Sequence, residues 1–325
     1  MERNADIYVP REKALAFHPQ PGCPTPSQWW YHDANFDNGY SISLNFHANE
    51  KMGMIQFEVG DPQGKVTSVS PLFDPKAIIA STEVCDVKLG ENYMRGKYPR
   101  YDLHVREGGL GADLVFKCIT KEFMEPPDGV FMGREQTPAT PKYFAYIFRP
   151  RCEVTGKLIV DGKEIPVKGQ GYGDHQWSNV SVADLFHCWY WGKIFLPKHT
   201  IYWWFAQMPP DMGYERMKWL WVFKGDKLIE YLAHADMYYD FREVEVDPET
   251  GIAVPRKMVI DIDERRIKGT ATFNRKYILY KTPMRPPRPI GWNRYFRQVA
   301  NCRAKFDIEG EKAEVDYQEV YEVGL

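Results

Sequence analysis

An acid, an imidazole and an indole stand close together at Asp174, His175 and Trp177, directly after three glycines at alternate positions, Gly169, Gly171 and Gly173. A carboxyl and an imidazole so placed could pass a proton to or from a bound molecule. If the backbone past Gly173 is extended, His175 and Trp177 project to one side while Asp174 and Gln176 project to the other. A bulge at the glycines would instead bring Asp174 round to His175. The plainer alternative is a glycine-rich barrel corner whose polar side chains satisfy local backbone groups. The stretch is not a dinucleotide fingerprint, because it reads G-x-G-x-G and no helical pattern follows it.

A second constellation follows at once. His187, Trp189 and Trp191 share one face of a predicted strand, and Tyr202 and Trp204 share a face of the next. Buried aromatics usually mean core. Yet Trp and Tyr carry polar atoms that need partners, and Leu or Val fills a core without that cost. An aromatic wall with a few convergent polar groups is also the make-up of a ligand pocket, and ring faces can stabilise cationic intermediates. Asp174, His175 and Tyr202 are therefore candidate proton or hydrogen-bond donors. Trp30, Trp177, Trp189, Trp191 and Trp204 are candidate walls for a small hydrophobic substrate. No metal or organic cofactor is expected, since Asp174, His175, His187 and His199 lack the spacing of a ligand set. No G-x-S-x-G elbow points to a hydrolase.

The elements that must position these residues read as strands. From Tyr40 to His47 the apolar Ile42, Leu44 and Phe46 alternate with Ser41, Ser43 and Asn45, and Met54–Val59 repeats the pattern. Similar runs recur to the end of the chain, at Tyr143–Phe148, Cys152–Val160, Lys218–Phe223, Gly269–Phe273 and Ala313–Glu322 among others. Residues 1–28 read as a lead-in that packs over a later sheet. Proline-rich stretches at Glu125–Pro141 and Thr282–Asn293 read as long loops. No apolar period of 3.6 is sustained, so the chain is expected to be all-β.

At 325 residues, two domains are expected, 1–180 and 181–325. Forty-two Lys and Arg against 44 Asp and Glu leave a net charge of −2, which argues against a nucleic-acid partner. Six scattered cysteines and the lack of a signal-like N-terminus point to reduced thiols and a cytoplasmic location. Peripheral contact with a membrane is one way such a protein could collect a hydrophobic substrate. Oligomeric state is not legible.

Three segments resemble a known family. Gln28-Trp-Trp-Tyr31, Val154 to Gly162, and Gly169-Gln-Gly-Tyr-Gly-Asp-His-Gln-Trp177 are similar to segments of the carotenoid 1,2-hydratase (hydroxyneurosporene synthase-like, AttH-like) family. The resemblance implies two tandem lipocalin-like antiparallel β-barrels. It also implies hydration of isoprenoid alkenes or cyclisation of polyenes in natural-product biosynthesis, the family's cyclases including Diels–Alder types. It places His175 and Trp177 at hydratase active-site positions and Tyr202 at a third. The hydratases carry an acid two residues past that tyrosine, where this chain has Trp204. The expectation is therefore a cofactor-independent cyclase or isomerase of a polyene- or terpenoid-like molecule. A hydratase and a non-catalytic carrier are the rivals.

Overall fold

Alternation of apolar and polar side chains, with no helical period, becomes strand along most of the chain. The computed structural model describes residues 13–23, 25–131, 142–180, 185–210, 213–282 and 294–325. Two units divide the chain, Met1–Val182 and Ala183–Leu325. Each is one curled antiparallel sheet, so the all-β expectation of two tandem lipocalin-like barrels is met. No helix among the described residues is long and apolar enough to cross a membrane.

The N-terminal unit contains β1 (Ser27–Phe36), β2 (Ser41–Ala48), β3 (Gly53–Gly60), β4 (Val66–Val69), β5 (Leu72–Phe73), β6 (Ile78–Ala80) and β7 (Cys85–Leu89). It continues with β8 (Asn92–Lys97), β9 (Arg100–Glu107), β10 (Leu110–Cys118), β11 (Phe123–Phe131), β12 (Lys142–Val160) and β13 (Lys163–Ser178). Their order is β4-β3-β2-β1-β13-β12-β10-β9-β8-β7-β6, with β11 beside β12 and β5 beside β3. The C-terminal unit contains β14 (Cys188–Phe195), β15 (His199–Gln207), β16 (Arg216–Lys224), β17 (Lys227–Leu232) and β18 (Met237–Val246). Its last strands are β19 (Ala253–Asp263), β20 (Ile267–Lys281), β21 (Tyr295–Ile308) and β22 (Glu311–Gly324). They run β17-β16-β15-β14-β22-β21-β20-β19-β18.

Inward residues of each sheet form its core: Ile42, Leu44, Phe46, Ile55, Phe57 and Val154 in one, Ile194, Trp203, Leu220, Ile260 and Phe273 in the other. Burial of this kind contributes about 1.5–3 kcal/mol per large apolar side chain. The outward face is buried too over part of each sheet. Tyr31, Asp33, Ser43 and Glu58 are at most 3% exposed in the first unit, and Trp191, Tyr202, Trp204 and Trp221 at most 6% in the second.

Several strands are longer than the sequence pattern suggests. The glycine-rich stretch is no corner: β13 runs unbroken through it and pairs with β1 from Ser178 to Gly169. Small residues are needed there because a Cβ on Gly169 would lie 2.1 Å from the Asn35 carbonyl oxygen. The runs at Tyr143–Phe148 and Cys152–Val160 are one strand, β12, with register shifts between Tyr146 and Arg149 and between Arg149 and Cys152. These bulges break the alternation that would have joined the two runs. Of the expected loop at Glu125–Pro141, residues 125–131 lie in β11, whose register shifts between Glu125 and Val130 across two prolines. Residues 132–141, and residues 283–293 of the second expected loop, lie outside the described residues. Of the lead-in, residues 1–12 and 24 lie outside the described residues, and the part at Leu15 packs over the sheet, its carbonyl accepting from Trp30 Nε1 at 3.1 Å.

Candidate functional site

The bend that would join Asp174 to His175 does not occur. Because β13 stays extended, the two side chains lie on opposite faces of the sheet, and each acquires its own surroundings.

His175 points inward, opposite Trp30 of β1. Its ring stacks on Trp30 at 4.3 Å and 3°, and lies 5.0 Å from Trp177 and 5.4 Å from His18. Phe144 closes the box by stacking on Trp177 at 5.1 Å. Nδ1 lies 2.6 Å from the Ala14 carbonyl oxygen. A carbonyl only accepts, so Nδ1 carries the hydrogen and Nε2 is a bare lone pair. That Nε2 has no hydrogen-bond partner. Burial, and then the His18 charge, hold the imidazole well below the ordinary histidine range. His18 itself is lowered to about 4 by burial. Neutral and bare at Nε2, His175 fits a hydrogen-bond acceptor, whereas the sequence alone suggested a donor.

Asp174 points outward. Its Oδ2 accepts from the Tyr172 hydroxyl at 3.0 Å and its Oδ1 from Gln176 Nε2 at 2.8 Å, and Gln176 Oε1 accepts from Tyr143 at 2.5 Å. Across the strand pair the same device recurs, with Tyr31 donating to Asp33 at 2.9 Å. The antiparallel register sets Tyr31 opposite Asp174 and Asp33 opposite Tyr172. Two Tyr-x-Asp units thus lie side by side in opposite directions, all four residues at most 3% exposed. Farther along this face Glu58 accepts from Ser43 and, at 3.0 Å, from Gln56. Asp33 and Glu58 were missed by sequence reasoning. The signal was present in Tyr31-His-Asp33 and Tyr172-Gly-Asp174, a repeated tripeptide whose period of two puts phenol and carboxyl on one face.

Tyr202 belongs to the other unit. On β14 and β15, Trp191 pairs with Trp204 and Lys193 with Tyr202, so all four share a face. Trp191 Nε1 donates to the Tyr202 oxygen. Trp221 meets the Tyr202 ring at 5.2 Å, and Trp204 stacks on Trp219 at 4.5 Å and 14°. Trp189 lies 5.5 Å from Tyr295. Buried beside this wall, Lys193 pairs with Glu319 at 2.9 Å, both fully buried, and Arg297 pairs with Glu322 at 3.0 Å. On the inward side of the same hairpin is a cavity of about 280 Å³ lined by Tyr190, Phe205, Arg216, Lys218 and Tyr239 among others. The predicted residues therefore fall into three groups: the His175 box with Trp30 and Trp177, the Asp174 network, and the Tyr202 wall with Trp189, Trp191 and Trp204. Among the described residues, no three His, Cys, Asp or Glu side chains gather as a metal site would need.

Comparison with known proteins gives one family and a consistent fold. The family model described as AttH-like matches residues 15–279. The quinolone epoxide rearrangement protein asqO of Emericella nidulans is 23% identical over 199 residues, 55% of this chain and 53% of that protein. The chain thus matches about half the length of this relative. A solved structure described as an AttH of Nitrosomonas europaea is similar at a TM-score of 0.69 with 13% identity, covering 97% of this chain and 96% of that one. Kievitone hydratase from Nectria haematococca follows at 0.63 and 11%, covering 97% and 94%. At such identities both structures show the fold alone.

Proposed function

Since the chain belongs to the AttH-like family, we propose that it is a cofactor-independent enzyme that binds a hydrophobic polyene- or terpenoid-like molecule and catalyses its cyclisation or isomerisation. The observation that supports this reading is the twin Tyr-x-Asp arrangement. A sheet face that needed only to be covered would be cheaper to build from apolar side chains, since each buried carboxyl must find its donors. Two carboxyls, each oriented by its own phenol away from water, are instead suited to proton transfer.

In this reading Asp174 is the proton or hydrogen-bond donor to an alkene, epoxide or carbonyl, and Tyr172 and Gln176 fix its orientation. Asp33 and Tyr31 form the second carboxyl–phenol pair of that face. His175 accepts a hydrogen bond at Nε2. Trp30 and Trp177 supply apolar wall around His175 on the other face of that sheet, and Trp189, Trp191 and Trp204, with Tyr202 as a polar contact, supply a separate apolar wall in the second unit. Holding a flexible chain in one folded shape is itself worth several kcal/mol of barrier, because the ordering entropy is lost on binding and not in the reaction. The relative named for a quinolone epoxide rearrangement supports an isomerising reaction.

Product mass tests the proposal. The purified chain is incubated with a panel of polyene, prenylated and epoxide substrates, and the products are separated by liquid chromatography with mass detection. A new product of unchanged mass supports cyclisation or isomerisation. A gain of one water makes the chain a hydratase. Binding with recovery of unaltered ligand across the panel makes it a carrier.

A further inference from the structure

The interior of the N-terminal barrel contains a charge that no carboxylate of the described residues balances. Arg149 is fully buried. It reaches the interior because β12 bulges on both sides of it, and the facing strand makes room with Gly173, where a Cβ would lie 2.6 Å from Nε. Bulges and glycines arranged like this re-aim a side chain, and they cost ladder bonds that a merely structural strand would keep.

The rings of Phe116, Phe148 and Tyr101 surround the guanidinium, with its carbon at 4.2, 4.5 and 5.1 Å from their centres. Nη2 meets His32, and the Met94 sulfur lies 4.0 Å away. Nε and Nη1 have no hydrogen-bond partner. The ionisable groups acting on Arg149 are the thiols of Cys152, Cys118 and Cys85 and the Tyr101 phenol. Burial pushes Cys85 up to about 12 and holds Cys152 and Tyr101 well above their ordinary ranges, so these three stay neutral at neutral pH. Cys118 already accepts the Cys152 S–H at 3.3 Å. Arginine does not shed its proton in a protein, so the charge persists. Ring faces offset part of the desolvation cost, but an isolated buried ion is normally matched by an opposite one.

We propose that the N-terminal barrel binds a small monoanion, a halide or the carboxylate end of a slender ligand, against the Arg149 guanidinium. This site is independent of the Asp174 network and of the reaction assigned to it. Two measurements on the full chain test it. After exhaustive dialysis into sodium sulfate, whose anion is divalent, the thermal midpoint is followed against sodium bromide and against sodium acetate at constant ionic strength. Crystals soaked in bromide are examined for an anomalous peak. A site filled to about a hundredfold over its Kd should raise the midpoint by about 5 °C or more in the wild type, and should leave Arg149→Met unchanged. A response to bromide with a peak beside the guanidinium identifies a halide, and a response to acetate alone identifies a carboxylate. Should Arg149→Met fail to fold, the wild-type titrations and the bromide map still decide. An indifferent wild-type midpoint together with an empty map overturns the proposal, as does an equal rise in Arg149→Met. The guanidinium would then be a ring-stacked structural cation.

Discussion

The two units bury the outer faces of their sheets with opposite chemistry. The N-terminal sheet fills that face with carboxyls, amides and phenols, the C-terminal sheet with indoles. They also treat buried cations differently. Lys193 and Arg297 each have a glutamate, at 2.9 and 3.0 Å, whereas Arg149 has three rings and a histidine. His18, His32 and His175 of the first unit are held low chiefly by burial, and so is His199 of the second. A unit whose ion pairs are closed is built to stay as it is. One that buries an unmatched cation keeps a group that a ligand can still engage.

The sharpest way to break this comparison is to open a closed pair. Glu319→Ala strands the fully buried Lys193 and is expected to cost about 3–5 kcal/mol, read from the urea midpoint. If the loss is below that range, the pair is not the buried anchor of its unit.

Close packing behind the first unit's network is next. Gly169→Ala places a methyl against the Asn35 carbonyl and Phe36 backbone, neither of which can rotate aside. The expected loss is about 1–3 kcal/mol in denaturant unfolding, as for other overpacked sites. A neutral outcome would mean that β1 and β13 can separate.

Acid separates the units by a smaller margin. Because His18, His32 and His175 have folded-state affinities for protons below the unfolded value of about 6.5, the unfolded chain takes up protons that the folded N-terminal unit refuses. Their contribution is complete above about pH 6.5 and is lost as pH falls towards the folded values, about 4 for His18. Between pH 7 and 5, hydrogen exchange should therefore quicken in β1 and β13 before it does in β20 and β21, which contain no histidine. Equal acceleration in the two sheets would contradict this. The smallest effect is expected at Lys224, whose pair with Glu311 is exposed: Lys224→Ala should leave midpoint and turnover unchanged.

Most of the fold was legible because alternation of period two survives in β2, β3 and β16 with little interruption. It fails where the chain slips. Arg149 reads as a surface residue beside Pro150, and only the two register shifts bring it inside. Tyr238–Val246 carries four charged residues in nine and reads as no strand, yet it forms most of the edge strand β18. The candidate site was half legible. Alternation correctly separates Asp174 from His175, but it cannot say that both faces are buried. Ser41, Ser43 and Asn45 look like a solvated face for the same reason, although each is at most 3% exposed. Asp33 gains its meaning only from the register that lays Tyr31-His-Asp33 against Tyr172-Gly-Asp174.

The central claim, that the outer face of the N-terminal sheet carries the chemistry, rests most directly on Asp174. Turnover and thermal midpoint are to be measured together for Asp174→Asn, which keeps the shape and can still accept from Tyr172, with His175→Ala and Tyr202→Phe alongside. The account predicts a loss of turnover of about 10²-fold or more for Asp174→Asn, with the midpoint within a few degrees of the wild type and ligand binding retained. Full turnover in a folded Asp174→Asn protein would contradict it, as would a loss of turnover that only follows the loss of folded protein.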